Sequence, residues 1–292
     1  MSKLICENLT KNYGKKTVLE NLNLTLESGK IYGLIGRNGA GKTTMLSIMS
    51  NQNPATDGKV TLDGENIWEN RKALDRICFS RELNITQENG LAAYTIKKYL
   101  DVAASYYVNW DKEMAKNLVE KFELKPKQKL GKLSKGMLSM VTIIVAMASK
   151  AEFTFLDEPV AGLDVVAREL FYKLLLNEYT ETGRTFVIST HIIEDAADVM
   201  EEVIIINKGK IIRHANTQEL VDSARYVTGL VDQVDGAVSG LEQHHAEKMG
   251  RSKGVTVLLQ DGQELNAGYD VTVQPVNLQK IFVALCGEEV HA

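Results

Sequence analysis

The chain has 292 residues, enough for one large or two modest domains with a sizeable buried core. Its 34 Lys and Arg against 38 Asp and Glu leave a net charge of −4, without the basic excess of most nucleic-acid binders, so no nucleic-acid partner is expected. Cys6, Cys78 and Cys286 are scattered with no C-x-x-C spacing, which argues against a disulfide framework or a zinc site and for a reduced, cytoplasmic setting.

The opening "MSKLICENLTKNYG" is polar and carries no apolar signal core. Short β-type segments broken by Gly and Asn follow. The stretch "KTVLENLNLTLESGKIYGLIG" alternates apolar and polar residues, then turns almost wholly apolar from Ile31 to Ile35, as a strand does on entering a covered sheet. "TTMLSIMSNQ" has helical spacing and "DGKVTLDGENI" reads as a hairpin. From Tyr94 to Phe122 the pattern is helical, with Asp111 placed as an N-cap.

"KLGKLSKGMLSM" has two readings at this point: a helix start capped by Ser134, or half of a phosphate site completed by another molecule. The apolar run that follows, residues 137–148, is shorter than the roughly 20 residues that span a bilayer. It reads as a core helix, so any membrane-spanning part belongs to another chain. Strand-type segments return at "AEFTFLDEP", "TFVIST" and "EVIIINKGKIIRHA", which argues for an α/β sheet. Beyond Gln218, "RYVTGLV", "GVTVLLQ" and "YDVTVQPV" read as strands and "NLQKIFVALCG" as a closing helix. These predict a small α+β accessory domain over 219–292, after a main domain over 1–218 with a helical subdomain at about 88–150. The acidic "MEEV" near residue 200 reads as a solvated helix end, and His244–His245 as a polar stretch without metal-ligand spacing.

"GRNGAGKTT", Gly36 to Thr44, fits G-x-x-x-x-G-K-[ST] between a predicted strand and a predicted helix. Gly36, Gly39 and Gly41 let backbone N–H groups close on phosphate oxygens, with Arg37, Asn38, Ala40 and Thr44 completing the loop. Lys42 reaches the β- and γ-phosphates and Thr43 offers a hydroxyl to Mg²⁺. In "FTFLDEP", Asp157 is placed to hold the magnesium. Glu158, at the exposed strand end, is placed to polarise a water attacking the γ-phosphate.

With "GLD" at 162–164 and "STH" at 189–191 in the same order, the chain resembles the ATP-binding subunits of ABC transporters over residues 1–215. The resemblance implies a P-loop NTPase fold with a helical subdomain, and ATP and Mg²⁺ as ligands. It gives Tyr13 the adenine-stacking position, His191 the γ-phosphate switch and Asp164 the D-loop. It places Ser134, Lys135 and Gly136 in the signature loop, which in this family acts on nucleotide bound to the opposite subunit. The opening alternatives at Ser134 therefore coincide, since a helix start is itself an anion-binding device.

Lys135 and Met137 depart from the usual glycine and glutamine of that signature. Glu82 stands where the family carries a glutamine, with Gln87 five residues later; as an oxygen donor Glu82 is a further candidate magnesium ligand. "YYVNWDKEMAKNLVEKFEL" and the tail resemble the exporter branch of Gram-positive bacteria. The resemblance implies a separate transmembrane permease, a homodimer or a heterodimer with a second ATPase, and a peripheral place on the inner face of the cell membrane. An importer subunit shares every motif named, and a soluble ABC ATPase acting on a protein or nucleic-acid complex is the reading from another class.

Overall fold

The computed structural model describes residues 1–85, 90–260 and 262–287. Two long strands, β1 (Lys3–Tyr13) and β2 (Lys16–Glu27), open the chain as an antiparallel pair. The segments read as short are continuous strands whose register slips at bulges. Asn8 and Asn21 there take φ of 51° and 47°, a left-handed conformation asparagine tolerates. β3 (Ile31–Ile35) is buried throughout and leads into α1 (Lys42–Met49). The predicted hairpin is β4 (Asp57–Leu62) and β5 (Glu65–Asn66), turning at Asp63-Gly64 with positive φ at both residues.

After α2 (Arg71–Leu74) and β6 (Ile77–Ser80) comes the helical region. α3 (Ile96–Ala104) is capped by Thr95. α4 (Lys112–Lys121) is capped by Asp111, whose carboxylate accepts the Met114 N–H at 2.8 Å. α5 (Lys135–Ala148) is the apolar run, buried over most of its length. The chain then alternates through β7 (Phe153–Asp157), α6 (Val165–Thr182), β8 (Thr185–Thr190), α7 (Ile193–Ala196), β9 (Glu202–Asn207) and β10 (Lys210–Asn216).

These strands form a six-stranded sheet in the order β10-β9-β3-β8-β7-β6, parallel except for the β10-β9 hairpin. β3, β7 and β8 have no exposed residue, because both faces of the sheet are covered. Alternation divides them: Tyr32, Leu34, Phe153, Phe155 and Val187 pack towards β1, β2 and α1. Ile31, Ile35, Leu156, Phe186 and Ile188 pack towards α5 and α6. The fold is thus an α/β P-loop architecture with an antiparallel sheet, β2-β1-β4-β5, laid on one face.

The remainder is α8 (Thr217–Ser223), β11 (Ala224–Leu230), α9 (Val231–Ala237), β12 (Glu242–Met249), β13 (Ser252–Leu258), β14 (Val271–Pro275) and α10 (Leu278–Cys286). Its antiparallel sheet runs β12-β13-β11-β14 over a small core of Val227, Val234, Val255 and Val257. α10 contributes instead to the main core: Leu278, Ile281 and Cys286 share it with Ile193 and Ala196 of α7 and Ile205 of β9.

One strand was not legible in the sequence, and one sequence expectation is corrected. The polar stretch holding His244 and His245 is an edge strand, β12, with no fully buried side chain, so it carries no apolar signal. Each histidine meets a glutamate of its own strand, His244 with Glu242 at 2.8 Å and His245 with Glu247 at 3.0 Å. "MEEV" is not a solvated helix end. Met200 is buried, Glu201 accepts the Ile31 N–H and the Tyr179 hydroxyl, and Glu202 opens β9 paired with Lys30 and His214.

Candidate active site

The site forms where β3, β7 and β8 end side by side. β3 delivers the chain to Gly36, where a Cβ would lie 2.6 Å from the Ile206 carbonyl oxygen, closer than any side chain tolerates. Gly41, at φ +111°, sits equally close to Leu19. Gly39 is different: its φ is +80° and a Cβ there would meet nothing within 4 Å. The loop is therefore pressed into the fold at both ends and open in the middle, a cradle of phosphate-binding form. Arg37, Asn38 and Gly39 are exposed, Ala40 is buried, and Thr44 lies between.

α1 starts at Lys42, so its N-terminal N–H groups and positive dipole end face this cradle. Lys42 is buried; its ammonium donates to the Gly36 carbonyl at 2.8 Å and lies 3.5 Å from a Glu158 oxygen. Thr43 donates its hydroxyl to Asp157 at 2.7 Å. That hydroxyl and carboxylate are hard oxygen donors close enough to share one small divalent cation, so the pair fits Mg²⁺.

Asp157 ends β7 beside Ser189 of β8, whose hydroxyl donates to the other carboxylate oxygen. The Glu158 N–H is held by the Ser189 carbonyl at 3.0 Å. Glu158 itself takes φ of 51°, an uncommon backbone conformation for a residue with a side chain. That turn sends its carboxylate back between Lys42 and His191, whose Nδ1 lies 2.7 Å from it. Ser189 carried no role in the sequence reading. Its signal was a hydroxyl at the buried end of an apolar strand, where a polar group needs a partner.

Two further candidate loops meet where α5 and α6 begin. Ser134 caps α5, its hydroxyl accepting the Met137 N–H at 3.2 Å. A Cβ on Gly136 would meet the Gly162 carbonyl oxygen at 2.4 Å, so the two loops touch backbone to backbone. Asp164 caps α6 by accepting the Ala167 N–H at 2.8 Å. The Lys135 stem runs over Gly162 and its ammonium meets the Glu82 carboxylate at 3.2 Å. Tyr13 ends β1 half exposed, its hydroxyl 2.5 Å from the Asn53 amide and its ring under Lys11. Gln87 lies outside the described residues. Among the described residues no helix is long and apolar enough to cross a membrane.

Known proteins match this arrangement. The family described as ABC transporter matches residues 19–161. The ABC transporter ATP-binding protein YtrB of Bacillus subtilis (strain 168) is 26% identical over 286 residues, 96% of each chain. The bacitracin transport ATP-binding protein BcrA of Enterococcus faecalis is 33% identical over 236 residues, 80% of this chain and 75% of that one. The dimeric structure of MJ0796, a bacterial ABC transporter cassette, shares the fold at a TM-score of 0.63 and 25% identity, over 73% of this chain and 98% of that one. Identity at this level over this length makes the kinship plain: the chain belongs to the ABC transporter family as one of its ATP-binding, ATP-hydrolysing cassettes.

Proposed function

We propose that the chain is the motor of an exporter, hydrolysing Mg-ATP at two composite sites in a head-to-tail dimer and driving a separate membrane permease. The observation that carries this reading is Glu158, set between Lys42 and His191 beside the phosphate cradle. The loop amides from Gly36 to Gly41 and the Lys42 ammonium hold the β- and γ-phosphates. Thr43 and Asp157 hold magnesium, which when bound neutralises phosphate charge. Glu82 would join that shell only after leaving Lys135.

Glu158 accepts the proton of the attacking water, and His191 steadies the Glu158 carboxylate and senses the γ-phosphate. Tyr13 stacks on adenine. Ser134, Lys135 and Gly136, at the positive end of α5, close on nucleotide held by the opposite subunit, with Asp164 linking the two sites. The opposite subunit is a second copy or a related ATPase.

A cleft of about 300 Å³ lies beside β6, lined by Phe79, Arg81, Tyr99, Val102, Tyr106 and Tyr107. Tyr106 is exposed. We assign this aromatic face to the permease, which would hold the chain at the inner face of the membrane. Similarity to a bacitracin transport protein supports export of a peptide antibiotic or a related envelope-active compound. The 219–292 segment is assigned as an accessory unit. The test is Glu158→Gln, which should bind ATP at normal affinity while turnover falls by about 10²–10⁴, the range of a lost general base. Near-normal turnover would remove Glu158 from its role.

A further inference from the structure

Two of the three departures from the family pattern, Glu82 and Lys135, lie 53 positions apart in sequence and meet in space. Glu82 follows β6, and Lys135 is the first residue of α5. Their side chains remain more than half exposed, 59% and 56%, so the pair is screened by water and cheap to break. Lys135 is also placed from below, because its stem crosses Gly162, where an added Cβ would lie 3.0 Å from the Lys135 Cγ. Among the described residues the ammonium is paired with the Glu82 carboxylate, and it is anchored on the loop that presents Ser134 and Gly136.

We propose that Glu82 and Lys135 form an exchangeable pair: Glu82 holds the Lys135 ammonium in the open chain, and the terminal phosphate of nucleotide bound to the opposite subunit takes it over on closure. This rests on the reading of the signature loop as facing that nucleotide. A phosphate carries more charge than a carboxylate, and the closed interface excludes the water that weakens the exposed pair, so the ammonium changes partner in the direction of closure. The exchange releases Glu82 from α5 at the moment the dimer shuts. Lys135 is thereby a phosphate-binding residue whose charge is unavailable until Glu82, the residue that positions it, yields it.

A bracing pair and an exchangeable pair differ in sign. If the pair only braces two loops, Glu82→Gln and Lys135→Met both remove the brace and act alike. If Lys135 changes partner, Glu82→Gln frees it and favours closure, whereas Lys135→Met opposes closure.

The experiment measures the Mg-ATP concentration that half-saturates dimer formation of the full chain carrying Glu158→Gln, by light scattering, together with any second ATPase that co-purifies. Lys135→Met should raise that concentration about tenfold, equivalent to about 1.4 kcal/mol. Glu82→Gln should lower it about threefold, and should change nothing once Lys135 is Met. Changes of the same sign, or an undiminished effect of Glu82→Gln in the Lys135→Met chain, would overturn the exchange while leaving the dimeric ATPase standing. A Glu158→Gln chain that binds ATP yet never associates, alone or with its co-purifying partner, would remove the dimeric reading and the exchange with it.

Discussion

Replacing Arg184 with Met would break the densest polar contact in the described core. The guanidinium is 5% exposed and donates to the backbone carbonyls of Ala146, Met147 and Ala151, the Thr154 hydroxyl, and Glu178 at 2.9 Å. Two of those carbonyls belong to the last turn of α5, where the helix has no partners of its own to offer. Burial pulls the guanidinium below its ordinary pKa, and Glu178 pushes it back towards the charged form. Truncating one side of a buried, hydrogen-bonded ion pair costs about 3–5 kcal/mol. Here Lys150 also meets both Glu178 oxygens at 2.9 Å and keeps that carboxylate paired, so the lower figure, about 3 kcal/mol, applies. At roughly 2–4 °C per kcal/mol for a chain approaching this size, Tm should fall by about 6–12 °C. Circular dichroism melts of parent, Arg184→Met and Glu178→Gln would measure it. An Arg184→Met chain melting within about 2 °C of the parent would refute the idea that this residue secures the end of α5.

Gly136→Ala should leave ATP binding to the monomer intact but cut turnover at least tenfold, since the new Cβ would force the Gly162 carbonyl away by about 1 Å to reach ordinary contact. Filter binding and phosphate release, run on one preparation, would separate the two effects. Thr43→Ala should weaken nucleotide binding in the presence of magnesium and alter it little in EDTA; equal losses in both would exclude the Thr43–Asp157 pair from metal binding. Burial pushes the Cys6 thiol up to about 12 and raises Cys78 as well, so neither forms appreciable thiolate at pH 8. Mass spectrometry after iodoacetamide treatment should find both unmodified in the native chain and both modified in urea.

The phosphate loop and the two acids at the end of β7 were legible in the sequence because their chemistry demands particular residues at fixed spacings. Ser134, Asp111 and the β4–β5 turn were legible because caps and tight turns are local events. What the sequence concealed is non-local. Arg184 looks like any surface arginine until the end of α5 folds over it. Glu82 and Lys135 read as two separate anomalies, and their contact exists only once α5 packs beside β6. β12 escaped because an edge strand needs no apolar alternation, and Glu201 because its partners, Ile31 and Tyr179, lie far away in the chain.

The place of α10 sets a timetable for the newborn chain. The core beneath β3 and β9 is closed by Leu278, Ile281 and Cys286, which emerge well after β10. At roughly 5–20 residues per second, the ribosome leaves that apolar surface uncovered for several seconds. During this interval the turn after His191 lacks its cover, so the nascent cassette is a natural client for chaperones until α10 docks.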